Sequence, residues 1–145
     1  TLQKPEREAM EWVSQNTPRS SRFLVLSGAM SVACDSVSEW FPALTYRQSV
    51  FTVQGTEWTL GNDFKSFIRE SVELQECIRG TPACIDGLIA SSDYDYVYLS
   101  KVLRAENCEL LPLAQSYLYF ADEVRRDVEY EVLYETDSVL IYKGR

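Results

Sequence analysis

RFLVLSG, residues 22–28, is a short apolar run that follows a polar turn and closes on a glycine. Consecutive apolar positions, rather than alternating ones, read as a strand buried on both faces, the kind found in parallel sheets. The segments on either side fit that reading. Upstream, Pro5 followed by Glu6, Arg7 and Glu8 is a helix start whose early acids complement the helix dipole. Ala9, Trp12 and Val13 recur at helical spacing to about Gln15, and Asn16-Thr17-Pro18 ends the helix, because the residue before a proline is pushed out of the α region.

Downstream, Gly28 opens a loop to Asp35, where Asp35 or Ser36 caps a short helix through Val37, Trp40 and Phe41. Residues 48–53 read as a second strand, 54–63 as a loop, and 64–78 as a helix with Phe67, Ile68, Val72 and Leu74 or Gln75 on or near one face. Gly80-Thr81-Pro82 breaks the chain before a short helix at 83–90. YDYVYLS, residues 94–100, is the third strand, with Tyr94, Tyr96 and Tyr98 alternating as packing residues on one face. A helix over 111–126 follows, and 129–135 with 138–143 form a closing hairpin around Thr136-Asp137.

Helices alternating with strands predict an α/β fold. The expected architecture is a three-layer α/β/α sandwich around a mostly parallel five-stranded sheet with a C-terminal antiparallel hairpin. The expected strand order is 2-1-3-4-5, with the last strand antiparallel at an edge. A length of 145 residues predicts one domain, and a 46% hydrophobic content supplies its core. Thr1 in place of an initiator Met reads as the start of a piece of something longer.

The formal net charge of −8, with no basic stripe, argues against a nucleic-acid partner and against an anionic membrane surface. No apolar run approaches bilayer length. The chain has no histidine, which removes Ser-His-Asp and Cys-His nucleophile systems and His-containing zinc sites. A cofactor or metal is not expected in this domain.

The cysteines are Cys34, Cys77, Cys84 and Cys108. Without a C-x-x-C pair, a zinc site is disfavoured. Two readings remain, four separate reduced thiols or two disulfides, and the second is preferred. Cys77 and Cys84 bracket the Gly80-Thr81-Pro82 break. Cys34 and Cys108 follow strands one and three, which the expected order makes neighbours. Bonds of this kind persist outside a reducing cytosol, so the expected location is the extracytoplasmic face of a membrane, in the periplasm or at a cell surface.

Ligands of open α/β sheets bind at the carboxyl ends of strands. Three loops are expected to meet there: 28–40 with Asp35, Glu39 and Trp40; 54–63 with Gln54, Glu57 and Trp58; and the loop after Ser100 with Lys101, Arg104 and Glu106. The repeated Glu39-Trp40 and Glu57-Trp58 pairs suit a carbohydrate, aromatic faces packing on sugar faces while carboxylates accept hydroxyl hydrogens. The bland alternative makes Trp40, beside Phe41, a core residue beneath its helix, and leaves Trp58 the more exposed. Arg47, just before strand two, is expected to pair with an acid from these loops.

EREAMEWVSQNTPRSSRFLVLSG, residues 6–28, resembles the start of the soluble C-terminal domain of GT-C-type membrane glycosyltransferases. There a helix of the form A-x-x-W-x-x-x-N-T-P precedes the first strand, and the matching residues are Ala9, Trp12, Asn16, Thr17 and Pro18. Residues 35–58 and 130–145 look like segments of uncharacterised prokaryotic multi-spanning proteins of this broad group. The resemblance implies a parent using a lipid-linked sugar donor, with its reactive groups between membrane helices and none in this chain. Residues 1–145 would then be a single soluble, non-catalytic accessory domain. Its partners would be the membrane-embedded part of the same polypeptide and a glycan or lipid-linked sugar acceptor. The Trp-Trp-Asp-Tyr-Gly acceptor motif of oligosaccharyltransferases is absent, since Ser27-Gly28-Ala29-Met30 stands at that place. The 35–40 stretch occupies a comparable position. The alternative is a stand-alone secreted carbohydrate- or peptide-binding module.

Overall fold

A computed structural model describes residues 2–29, 31–50, 64–105, 107–111 and 115–144. The helices are α1 (Lys4–Asn16), α2 (Ser36–Thr45), α3 (Phe64–Glu76), α4 (Ala83–Asp86) and α5 (Gln115–Arg126). The strands are β1 (Arg22–Leu26), β2 (Gln48–Val50), β3 (Tyr96–Ser100), β4 (Leu103–Arg104), β5 (Leu110–Leu111), β6 (Glu131–Glu135) and β7 (Val139–Lys143). The fold is α/β, with a mostly parallel five-stranded sheet ordered β2-β1-β3-β7-β6 and a separate antiparallel β4-β5 pair.

The first three strands lie in the expected order, and the last two are exchanged. β7 is antiparallel as expected, yet it sits inside the sheet between β3 and β6. Burial explains the exchange. Val139, Leu140, Ile141 and Tyr142 are apolar at successive positions and all buried, as an inner strand requires. β6 begins and ends on exposed glutamates, which suit an edge because charge discourages pairing with another chain.

Alternation along the strands divides the core between the two faces of the sheet. Leu24, Leu26, Val97, Leu99, Leu140 and Tyr142 meet Leu74, Cys77, Ile78, Ile85, Phe120 and Val124, residues of α3, α4, α5 and the turn after α3. On the other face Phe23, Val25, Tyr98, Val139 and Ile141 meet Ala9, Met10 and Val13 of α1 and Val37 and Phe41 of α2. Tyr96 and Tyr98 share that second face, whereas Tyr94 lies before β3 and joins the first core, so the tyrosines do not line one surface.

Several local expectations shift. The inward residues of α3 run through Ser71 and Leu74, and Val72 is 48% exposed. The Gln75 amide faces β1, where it donates to the Val25 carbonyl and accepts from the Ser27 N–H, each at 2.8 Å. It thereby supplies hydrogen bonds at the carboxyl end of β1. The helix expected over 111–126 begins at Gln115, and Leu111 belongs to β5. The short helix after the Gly80-Thr81-Pro82 break ends at Asp86. Residues 51–53 of the second strand lie outside the described residues.

Both disulfides are formed: Cys34–Cys108 and Cys77–Cys84. Among the described residues no helix is long and apolar enough to cross a membrane.

Candidate functional site

β1 has β2 on one side and β3 on the other, and the chain leaving β1 returns through α2 to β2. The carboxyl ends of β1 and β3 therefore flank a topological switch point, where diverging connections leave a crevice in α/β sheets. Two of the three expected loops meet there. Ala29 bridges Arg104, and the Arg104 N–H donates to the Gly28 carbonyl at 3.3 Å. The approach suits a glycine, for Gly28 has φ +69°, which strains other side chains, and an added Cβ would lie 2.9 Å from Leu103 Cδ2. The Cys34–Cys108 bond ties the same two loops together.

Several polar side chains converge on this junction. Glu6, on the inward stripe of α1 with Ala9, Met10 and Val13, is 1% exposed. Its Oε1 accepts from the Ser100 hydroxyl at 2.6 Å and its Oε2 accepts from the Tyr98 hydroxyl. Asp35 caps α2, its Oδ1 accepting from the Ser38 N–H at 2.9 Å, and it also bonds the Ser27 hydroxyl. Arg104 is 2% exposed, and its two terminal nitrogens are buried without a hydrogen-bond partner among the described residues. Its charge is felt at Glu6, Asp35 and Tyr98 alike.

Burial pushes the carboxyls of Glu6 and Asp35 above their ordinary range, against the pull of their hydrogen bonds and of Arg104. Burial, reinforced by the Glu6 carboxylate, also drives the Tyr98 phenol well above its usual value. Beside this cluster Lys101, 7% exposed, donates to Glu135 at 2.5 Å and to the Thr136 carbonyl at 2.8 Å. Arg125 also binds Glu135, and the paired cations hold that carboxyl at about 2.

Among the described residues, Glu39, Trp40 and Arg47 lie outside this hydrogen-bonded cluster. Glu39 and Trp40 are exposed on α2, with Trp40 at 48%. Successive helical residues point about 100° apart, so burying Val37 and Phe41 turns Trp40 outward, and it is not a core residue. Among the described residues no loop acid pairs with Arg47. It precedes β2 and so lies at the opposite, amino edge of the sheet. There its guanidinium donates to the Ser14 and Thr17 carbonyls ending α1 and the Thr45 and Tyr46 carbonyls ending α2. A cation at two helix C-termini is a structural clamp. Gln54, Glu57, Trp58 and Glu106 lie outside the described residues.

No family model, curated protein or solved structure matches this chain. The chemistry must therefore be read from the residues. The junction offers unused donors on one buried cation, flanked by two carboxyls whose oxygens already accept hydrogen bonds. Such an arrangement can bind a group rich in acceptor oxygens. Among the described residues no three His, Cys, Asp or Glu side chains are grouped to hold a metal ion.

Glu6, Tyr98, Ser27 and Ser100 were not among the expected site residues. Glu6 carried a readable signal, because it stands three, four and seven residues before Ala9, Met10 and Val13, on the apolar stripe itself.

Proposed function

We propose that this chain is the extracytoplasmic, non-catalytic accessory domain of a membrane glycosyltransferase-like protein that uses a lipid-linked sugar donor. The observation that carries the reading is the pair of disulfides, which fit an oxidising setting outside the cytosol. The Asn16-Thr17-Pro18 junction between α1 and β1, the feature in which the sequence resembles GT-C-type domains, adds to it. A three-layer α/β/α sandwich is the architecture we assign, supported by apolar cores on both faces of the sheet. Its partners in this reading are the membrane-embedded part of the same polypeptide and a glycan or lipid-linked sugar acceptor.

The test is the full-length gene product. The region encoding residues before Thr1 is expected to carry several apolar segments of about 20 residues each. The product is expected to fractionate with membranes, and protease added from outside should release a fragment carrying residues 1–145. A gene without such segments overturns the reading. The exposed Trp40 beside Glu39 favours a second one, a secreted carbohydrate-binding module. That reading expects glycan-array binding by this chain that is lost in Trp40→Ala.

A further inference from the structure

We propose that Arg104 is the binding group of a small-oxyanion site at the carboxyl ends of β1 and β3, taking a carboxylate or phosphate group carried by a small molecule. The inference rests on this chain's own geometry and stands apart from the membrane-enzyme reading.

A guanidinium taken out of water needs hydrogen-bond acceptors, and a buried polar group left unmatched costs stability. Native proteins keep few such groups, and each calls for a physical reason. Arg104 is 2% exposed, with both terminal nitrogens unmatched among the described residues. No ion pair closes on it among the described residues.

Its neighbours sharpen the point. Glu6 and Asp35 lie close enough for Arg104 to act on their titration, yet their oxygens are engaged by Tyr98, Ser100, Ser38 and Ser27. They hold the cation in place and leave its donors free. Burial favours the protonated form of both carboxyls, which lessens the negative charge competing with an incoming anion.

The chemistry of the occupant follows from what is unused. Two terminal NH2 groups in a planar fork match two oxygens of a carboxylate or phosphate, in the bidentate geometry that makes such pairs strong. A sugar hydroxyl would accept one of those hydrogens and leave the charge uncompensated. The net charge of −8 disfavours a nucleic acid, whose backbone needs a basic surface. The frame is held before any ligand arrives by the Cys34–Cys108 bond, the Gly28–Leu103 contact and the Ala29–Arg104 bridge. Both terminal nitrogens are buried, so an anion reaches them only by displacing what packs against them.

The experiment is a thermal- and urea-unfolding titration of this chain with inorganic phosphate and, separately, with acetate, against chloride at matched ionic strength. At least one oxyanion is expected to raise stability saturably, by about 2.7 kcal/mol at a hundredfold excess over Kd. The anion that saturates names the class. Arg104→Met should abolish the response, while the anion-free stability reflects two opposed effects, loss of an unmatched cation and loss of the opposite charge beside Glu6 and Asp35. Equal responses to oxyanion and chloride, or an equal response in Arg104→Met, overturn the site. Should that variant not fold, the guanidinium nitrogen resonances of Arg104 in the parent protein decide. They are expected to move on titration, and their constancy refutes the proposal.

Discussion

Removing the two disulfides one at a time separates loop closure from local packing. Cys34–Cys108 closes a sequence separation of 74 residues and Cys77–Cys84 one of 7. Each bond has one deeply buried half, Cys34 at 5% and Cys77 at 1% exposure, and one exposed half, Cys108 and Cys84. Alanine at both ends therefore costs similar packing in the two variants, and their difference reports the chain entropy of the unfolded state. That entropy is worth about 4.5 kcal/mol for the long closure and about 2.5 for the short one. The expected gap is about 2 kcal/mol, with Cys34→Ala/Cys108→Ala the less stable. Urea unfolding at 25 °C followed by tryptophan fluorescence and far-ultraviolet dichroism measures it, with coincident transitions as the check on two-state behaviour. The long-closure variant should also show the larger m-value, because its unfolded chain is released to expose more surface. Equal losses, or a greater loss from the short closure, would refute the entropic argument and place the stabilisation in native contacts. Together the bonds contribute about 7 kcal/mol, comparable with the whole stability of an ordinary domain, so the fully reduced chain is expected to lose its cooperative transition.

Arg47→Ala should cost about 3 kcal/mol in the same assay, since it leaves the carbonyls of two helix ends without their shared cation, and Arg47→Lys should recover less than half of that. Because the folded-state pKa of Glu6 is raised, its contribution is most favourable below about pH 4.5 and is lost as pH rises through the folded value. Stability measured against pH should therefore fall more steeply above that point in the parent than in Glu6→Gln, and parallel curves would contradict the assignment. Glu135 behaves in the opposite sense. Its pKa falls to about 2 through Arg125 and Lys101, so its stabilisation is full above the ordinary 4.5 and lost as the medium is acidified toward 2. With allowance for solvent screening, Glu135→Gln should cost about 1–2 kcal/mol near neutral pH and about nothing at pH 2, as read by urea midpoints across that range.

What could be read in the sequence depended on how many residues carried each signal. β1 and β3 are five-residue runs of mostly apolar side chains, and from their adjacency followed both the meeting of two loops and the Cys34–Cys108 pairing. The exchange of β6 and β7 was legible in hindsight, for VLIY is an inner strand's composition and EVLYE an edge strand's. β4 and β5, two residues each, are too short for any periodicity to mark. Glu6 escaped because an acid in a first helical turn already has a sufficient explanation in the dipole. Arg47 escaped because no local pattern reveals that two distant helix ends converge on one side chain. The core alternative for Trp40 fails because on a helix the residue beside a buried aromatic turns toward water.

The interior place of β7 bears on how the chain is made. Synthesis runs from the amino end, so β1, β2 and β3 emerge well before the segment that must lie against β3. Until residues 139–143 are released, one side of β3 offers bare N–H and C=O groups to any passing strand. β6 has no seat of its own before then, because it reaches the sheet only through β7. A nascent chain stalled a few residues short of Lys143 would be a ready substrate for chaperones.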